Sequence, residues 1–142
     1  MNINFNESEF TNDQLDEIRW GREQGIDTTL YESPKFTNYQ MREIRLGILD
    51  NLEASVYADP KFSDRQMAQI RRGLILGVDV NKYASTKYNE GQMYQICKGL
   101  GSGIDVSVYA DPNFSSIQMK LIREIYESVY GNTAGTDSMS LF

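Results

Sequence analysis

From Phe10 onward the chain repeats one order of aromatic, polar and aliphatic positions every 26 residues. The copies begin at Phe10, Phe36, Phe62, Tyr88 and Phe114, with no insertion or deletion between them. Self-similarity at a fixed period of 20–50 residues marks a repeat architecture. Numbered 1 to 26, each copy has an aromatic at position 1 and Thr, Ser or Asn at position 2 (Thr11, Thr37, Ser63, Asn89, Ser115). Position 5 is always glutamine (Gln14, Gln40, Gln66, Gln92, Gln118), and position 6 is Leu15, Met41, Met67, Met93 or Met119. Together these predict a capping box with a hydrophobic staple at the start of a helix. A repeated glutamine is also compatible with a polar binding ladder; capping is the reading preferred here.

Positions 6, 9 and 13, as in Met67, Ile70 and Leu74, place one apolar stripe on a helix of about 13 residues, near 20 Å long. Gly25, Asn51, Gly77 and Gly103 at position 16, each followed by an aliphatic residue, predict a left-handed Schellman stop. Asp27, Glu53, Asp79 and Asp105 then stand where an acid caps a second, short helix such as Val106–Ala110. That segment ends in Tyr31, Tyr57, Tyr83 or Tyr109, expected to fill the core with its hydroxyl at the rim. Glycine recurs inside the long helix at Gly21, Gly47, Gly73 and Gly99. Each costs about 1 kcal/mol relative to alanine, so the spacing predicts close approach by the neighbouring helix.

The expected fold is therefore all-α: a single-domain α-solenoid of five 26-residue repeats, each a long helix plus a short one. Residues 1–130 form the repeat domain. Phe5 falls where a preceding copy would hold its tyrosine, so residues 1–9 are expected to act as an N-terminal half-repeat. The fifth copy exchanges its two glycines for Ile125 and Val129, as expected of a C-terminal capping helix with no following neighbour. That helix is expected to run to about Tyr130, with 131–142 a flexible tail.

Net charge is −6, and the surplus is uneven: residues 1–61 carry 12 acidic and 6 basic side chains, residues 62–142 carry 8 of each. An acidic balance argues against a general nucleic-acid binder. The short apolar runs predict no membrane span. The polar start MNINFNESEF and the single cysteine, Cys97, predict a cytoplasmic chain without a secretory leader.

Candidate chemistry is sparse. Without histidine there is neither an imidazole base nor an imidazole metal ligand. Cys97 replaces the arginine that other copies carry at position 10 (Arg19, Arg45, Arg71, Arg123). These arginines are expected to lay their stems on the core edge and pair with a repeat acid or a helix-end carbonyl, rather than form a phosphate ladder. The acids at position 18 come one per copy, too dispersed for a cation site. The glycines of KGLGSGID belong to the repeat itself and not to a phosphate loop. No enzyme, metal or cofactor is expected.

Positions 4, 8, 11 and 15 differ between copies and lie opposite the apolar stripe. They supply the candidate partner-binding residues Trp20, Tyr39, Leu46, Arg72 and Leu76, with the acids Asp13, Glu17 and Glu43. Trp20 has a second reading, as a cover for the edge of the stack. The unit F-S-x-x-Q-M-x-x-I-R-x-G-L-x-x-G-x-D-V-S-x-Y-A-D-P resembles short tandem helical repeats of bacterial proteins and of proteins of their phages and mobile elements. This resemblance runs from Phe10 to about Tyr130. It implies a stand-alone interaction protein and, by analogy, an anti-CRISPR-type inhibitor whose acidic first two repeats mimic nucleic acid in a host defence nuclease. Two further classes remain: nucleic-acid binding through Arg65, Arg71, Arg72, Lys82, Lys87 and Lys98, and self-assembly as a homodimer.

Overall fold

The computed structural model describes residues 5–131, and the described residues form helices without a β-strand. The chain is all-α. Five long helices follow in order: α1 (Asn12–Glu23), α2 (Asn38–Leu49), α3 (Asp64–Leu76), α4 (Glu90–Gly101) and α5 (Ser116–Tyr126). Short 3-10 turns lie between them at Thr28–Tyr31, Ala54–Val56, Val80–Lys82 and Val106–Val108. Another turn, Glu7–Glu9, precedes α1, and a π-helical turn, Glu127–Gly131, extends α5. The tail expected at 131–142 lies outside the described residues beyond Gly131.

Every long helix starts as its sequence dictates. Thr11, Thr37, Asn89 and Ser115 each accept from the N–H of the glutamine three residues on, and that glutamine's Oε1 accepts from the cap N–H. Ser63 and Gln66 make the same reciprocal pair at 2.9 and 3.0 Å. The stops are equally local. Ile26, Leu52, Val78 and Ile104 donate to the carbonyl five residues back, at Gly21, Gly47, Gly73 and Gly99. The intervening residue is left-handed: Gly25, Gly77 and Gly103 have φ of 74–78°, and Asn51 has φ 60°. The short segments are single 3-10 turns rather than α-helices. Asp27, Asp79 and Asp105 cap them by accepting from the N–H two residues on, whereas Glu53 makes no side-chain cap. The Thr29 N–H holds the Asp27 carboxyl below its usual range, and Ser107 does the same for Asp105.

The chain divides into two compact units, Met1–Arg71 and Arg72–Phe142, the division falling within α3. In the first unit α1 packs on α2, and the turn Thr28–Tyr31 packs against both. Its core contains Ile18, Tyr31, Phe36, Met41, Ile44, Tyr57, Phe62, Met67 and Ile70. Phe5 stacks on Phe10 at 5.0 Å and lies 5.0 Å beneath the Arg22 guanidinium. In the second unit α4 packs on α5 around Tyr83, Tyr88, Met93, Ile96, Cys97, Tyr109 and Met119. Positions 6 and 9 of the internal copies are buried, while position 13 is only half-covered at Ile48, Leu74 and Leu100.

Two expectations need correction, and they correct each other. The position-12 glycines are approached not by a neighbouring long helix but by the tyrosine of their own copy. A Cβ on Gly21, Gly47, Gly73 or Gly99 would collide with the hydroxyl of Tyr31, Tyr57, Tyr83 or Tyr109. Nor are those hydroxyls at the rim, because the four tyrosines are fully buried. Tyr31 donates to the Glu17 carbonyl at 2.8 Å, Tyr57 to Glu43 and Tyr109 to Gln95, both at 2.5 Å. Those carbonyls lie four residues before the glycine, so each accepts a second hydrogen bond beside the helical one. Burial is the main reason these phenols titrate well above their ordinary value.

Gly47→Ala is expected to destabilise by about 1–3 kcal/mol, the usual cost of overpacking. Gly101→Ala, whose Cβ meets nothing within 4 Å, is expected to gain about 0.5–1 kcal/mol from helix propensity. Urea unfolding of the two variants checks this contrast. Adding Tyr57→Phe to Gly47→Ala should cost less than the two separate effects together.

Candidate partner-binding surface

The invariant glutamines do more than cap. A capping box accepts Glu or Gln equally, but at Gln14, Gln40 and Gln92 the amide nitrogen has a second task. Gln14 Nε2 donates to the carbonyls of Pro34 and Phe36 at 3.3 and 2.6 Å. Gln40 does the same to Pro60 and Phe62 at 3.1 and 2.6 Å, and Gln92 to Pro112 and Phe114 at 3.0 and 2.7 Å. One side chain therefore starts its own helix and ties down the turn that leads to the next. The uniform choice of an amide over a carboxylate was the available signal for this role, and the capping explanation masked it.

A second link joins position 8 of one copy to position 10 of the next. Arg45 Nε donates to Glu17 Oε1 at 2.8 Å, and its Nη1 donates to Gln24 Oε1 at 2.9 Å. Arg71 Nε meets Glu43 Oε1 at 2.8 Å. Arg123 Nε meets Gln95 Oε1 at 2.9 Å and pairs with Glu127 at 2.6 Å through Nη1. Arg45 and Arg71 do pair with acids, but at position 8 of the preceding copy and not with those recurring at position 18, and Arg123 takes a glutamine there. These acceptors are residues that the helical pattern places outward.

Glu17 and Glu43 therefore need correction as partner-facing acids. The Glu17 side chain is only 8% exposed and that of Glu43 17%. Position 8 faces the groove into which the following arginine reaches, and both charges are neutralised there. Position 10 of the fourth copy has no arginine. Cys97 is wholly buried, close enough to Tyr83 that its thiol, after burial, is the next cause raising that phenol.

The other candidates lie at the surface to different degrees. Tyr39 is 62% exposed, Leu76 53% and Trp20 42%; Asp13 and Arg72 are exposed, and Leu46 is half-buried. The Trp20 ring lies 5.9 Å from both the Arg19 and the Arg45 guanidinium carbons. It thus flanks the Glu17–Arg45 pair while leaving part of its face to solvent. Trp20, Tyr39 and Leu46 belong to the first unit, Arg72 and Leu76 to the second. Arg72 lies 4.9 Å over Tyr94, whose ring Lys98 also approaches at 5.5 Å.

Several acids of the first two copies are held in ion pairs: Glu32 with Arg22, Asp16 and Glu23 with Arg19, and Asp59 with Lys61. The exposed pairs of Arg19 and Lys61 contribute about 0–1 kcal/mol each. Among the described residues no group of three His, Cys, Asp or Glu side chains could hold a metal ion. No described helix is long and apolar enough to cross a membrane.

Comparison of the chain with family models, curated proteins and solved structures gave no match.

Two substitutions separate these roles. Gln40→Glu retains a capping acceptor but presents a carboxylate to the Pro60 and Phe62 carbonyls. It is expected to cost about 1–3 kcal/mol in urea unfolding. Gln118→Glu, in the helix whose glutamine makes only the capping pair among the described residues, should cost a few tenths of that. Glu17→Leu strands the Arg45 guanidinium and is expected to cost about 3 kcal/mol. Glu17→Gln, which copies the Gln95–Arg123 bond, should cost less than half as much.

Proposed function

We propose that the chain is a non-enzymatic α-solenoid module that binds another protein through the residues that differ between its copies. The observation that carries this reading is the division between constant and variable positions. The constant glutamines, glycines and tyrosines are engaged in holding the fold. What reaches solvent at positions 4, 11 and 15 changes from copy to copy: Asp13 and Tyr39, Trp20 and Arg72, Leu76. A fixed frame with varied outward residues is how helical repeats build extended binding surfaces. Exposed aromatic and arginine side chains are the residue types that dominate such interfaces.

In its sharper form the partner is a bacterial immune nuclease, with the acidic first two copies occupying a basic nucleic-acid groove. With Glu17 and Glu43 turned inward, that role falls to the exposed acids Glu7, Glu9, Asp13, Asp50 and Glu53.

The test is capture from a lysate of the source organism with the wild-type chain, Trp20→Ala/Tyr39→Ala and Asp13→Lys/Asp50→Lys in parallel. A specific partner should bind the aromatic variant roughly tenfold or more weakly, as expected for losing hot-spot side chains. Mimicry further requires that binding fall steeply with salt and fail in the lysine variant. Salt-insensitive binding that depends on Trp20 retains the binding module and defeats mimicry. Retardation of nucleic acid at low salt would defeat both.

A further inference from the structure

The outer face of α5 does not look like the end of a repeat array in water. Terminal repeats carry a polar outer face, but here Ile117, Leu121, Ile125 and Val129 are 69, 56, 62 and 51% exposed. They occupy positions 4, 8, 12 and 16 of the fifth copy. In the earlier copies position 8 is Glu17, Glu43, Gln69 or Gln95, of which Glu17, Glu43 and Gln95 accept from the next copy's arginine, and position 12 is the glycine under the tyrosine hydroxyl. Branched aliphatic side chains have replaced all of these. Ile125 stands at position 12, where the earlier copies keep a glycine beneath the hydroxyl of their own tyrosine, and the face it lies on is strongly apolar.

Ile117, Leu121 and Ile125 are spaced by four and form one ridge about 12 Å long on α5, with Val129 following on the π-helical turn. Ridges of this type interdigitate with their like, at a crossing angle of about −50°. Lys120 and Glu124 are both exposed and lie on the same flank of that ridge. Their midpoint falls within one residue of the ridge's own centre. A two-fold axis relating antiparallel copies keeps this flank on one edge of the interface, bringing each Lys120 toward the other copy's Glu124. A parallel pairing carries the flank to opposite edges and loses both pairs.

From the apolar ridge and this self-complementary charge pattern, we infer that α5 is a homodimerisation surface, pairing antiparallel with α5 of a second copy of the chain. This goes beyond the binding reading and does not depend on it.

Sedimentation equilibrium of the full chain across a concentration series tests it. The wild type should shift reversibly from the chain mass to twice that mass. Leu121→Glu, at a site exposed in the single chain, should remain at the chain mass with unchanged helical circular dichroism. Lys120→Glu should weaken the dimer several-fold, and Lys120→Glu/Glu124→Lys should restore it. A wild type that stays at the chain mass up to its solubility limit overturns the inference. So does a dimer indifferent to Leu121→Glu, or one weakened by Lys120→Glu and not restored by the double exchange. A chain that dimerises only after residues 132–142 are deleted also overturns it, since the occupant of the ridge is then its own tail.

Discussion

A phenol hydroxyl pressed against a helix backbone is the contact on which the rest of this molecule depends. Tyr31, Tyr57 and Tyr109 each reach back fourteen residues to a main-chain carbonyl, and only a missing side chain at position 12 gives the oxygen room. The glycine costs helix propensity and the hydroxyl loses its water. In return the carbonyl gains a second donor, and a large aromatic ring is buried completely. This lock is internal to one copy. It fixes the angle between a long helix and the 3-10 turn that follows, and so sets where the next segment starts.

Links between successive copies use a different chemistry. Gln14, Gln40 and Gln92 donate to turn carbonyls 20 and 22 residues ahead, and Arg45, Arg71 and Arg123 reach acceptors 28 residues behind. Both are polar contacts at the edge of an apolar core of methionine and isoleucine. They specify register, which aliphatic packing alone leaves loose. Position 8 can be Glu or Gln because the arginine requires only an acceptor; position 5 must be Gln because the carbonyls require a donor.

What the sequence revealed follows from how far each interaction reaches. Helix starts at Thr11, Thr37 and Ser115 and stops at Gly25, Asn51 and Gly103 depend on partners three to five residues away, so the letters encode them almost directly. The position-12 glycines were legible as a close approach, but the approaching group was not. A phenol and a neighbouring helix leave the same trace in one strand of text. Glu17 and Glu43 sit opposite the apolar stripe on a helical wheel. A wheel shows which way a residue points and not what the following copy places there. The arginine at position 10 was expected to find an acid, and combining that with the free-looking acid two positions earlier in the period would have found the pair. Trp20 and Tyr39 keep their exposed faces, while Leu46 is half-covered by packing that no local pattern encodes.

The fixed offsets of these links have a consequence for how such a chain can change in length. The links between copies span set numbers of residues, so recombination in register preserves the spacing of the glutamine links. The arginine link is lost at any junction that receives the cysteine of position 10. An insertion of one residue between Gln40 and Phe62 would instead shift donor from acceptor. A helix with Ile125 at position 12, by contrast, leaves no vacancy for a phenol hydroxyl, so the tyrosine lock cannot form on it.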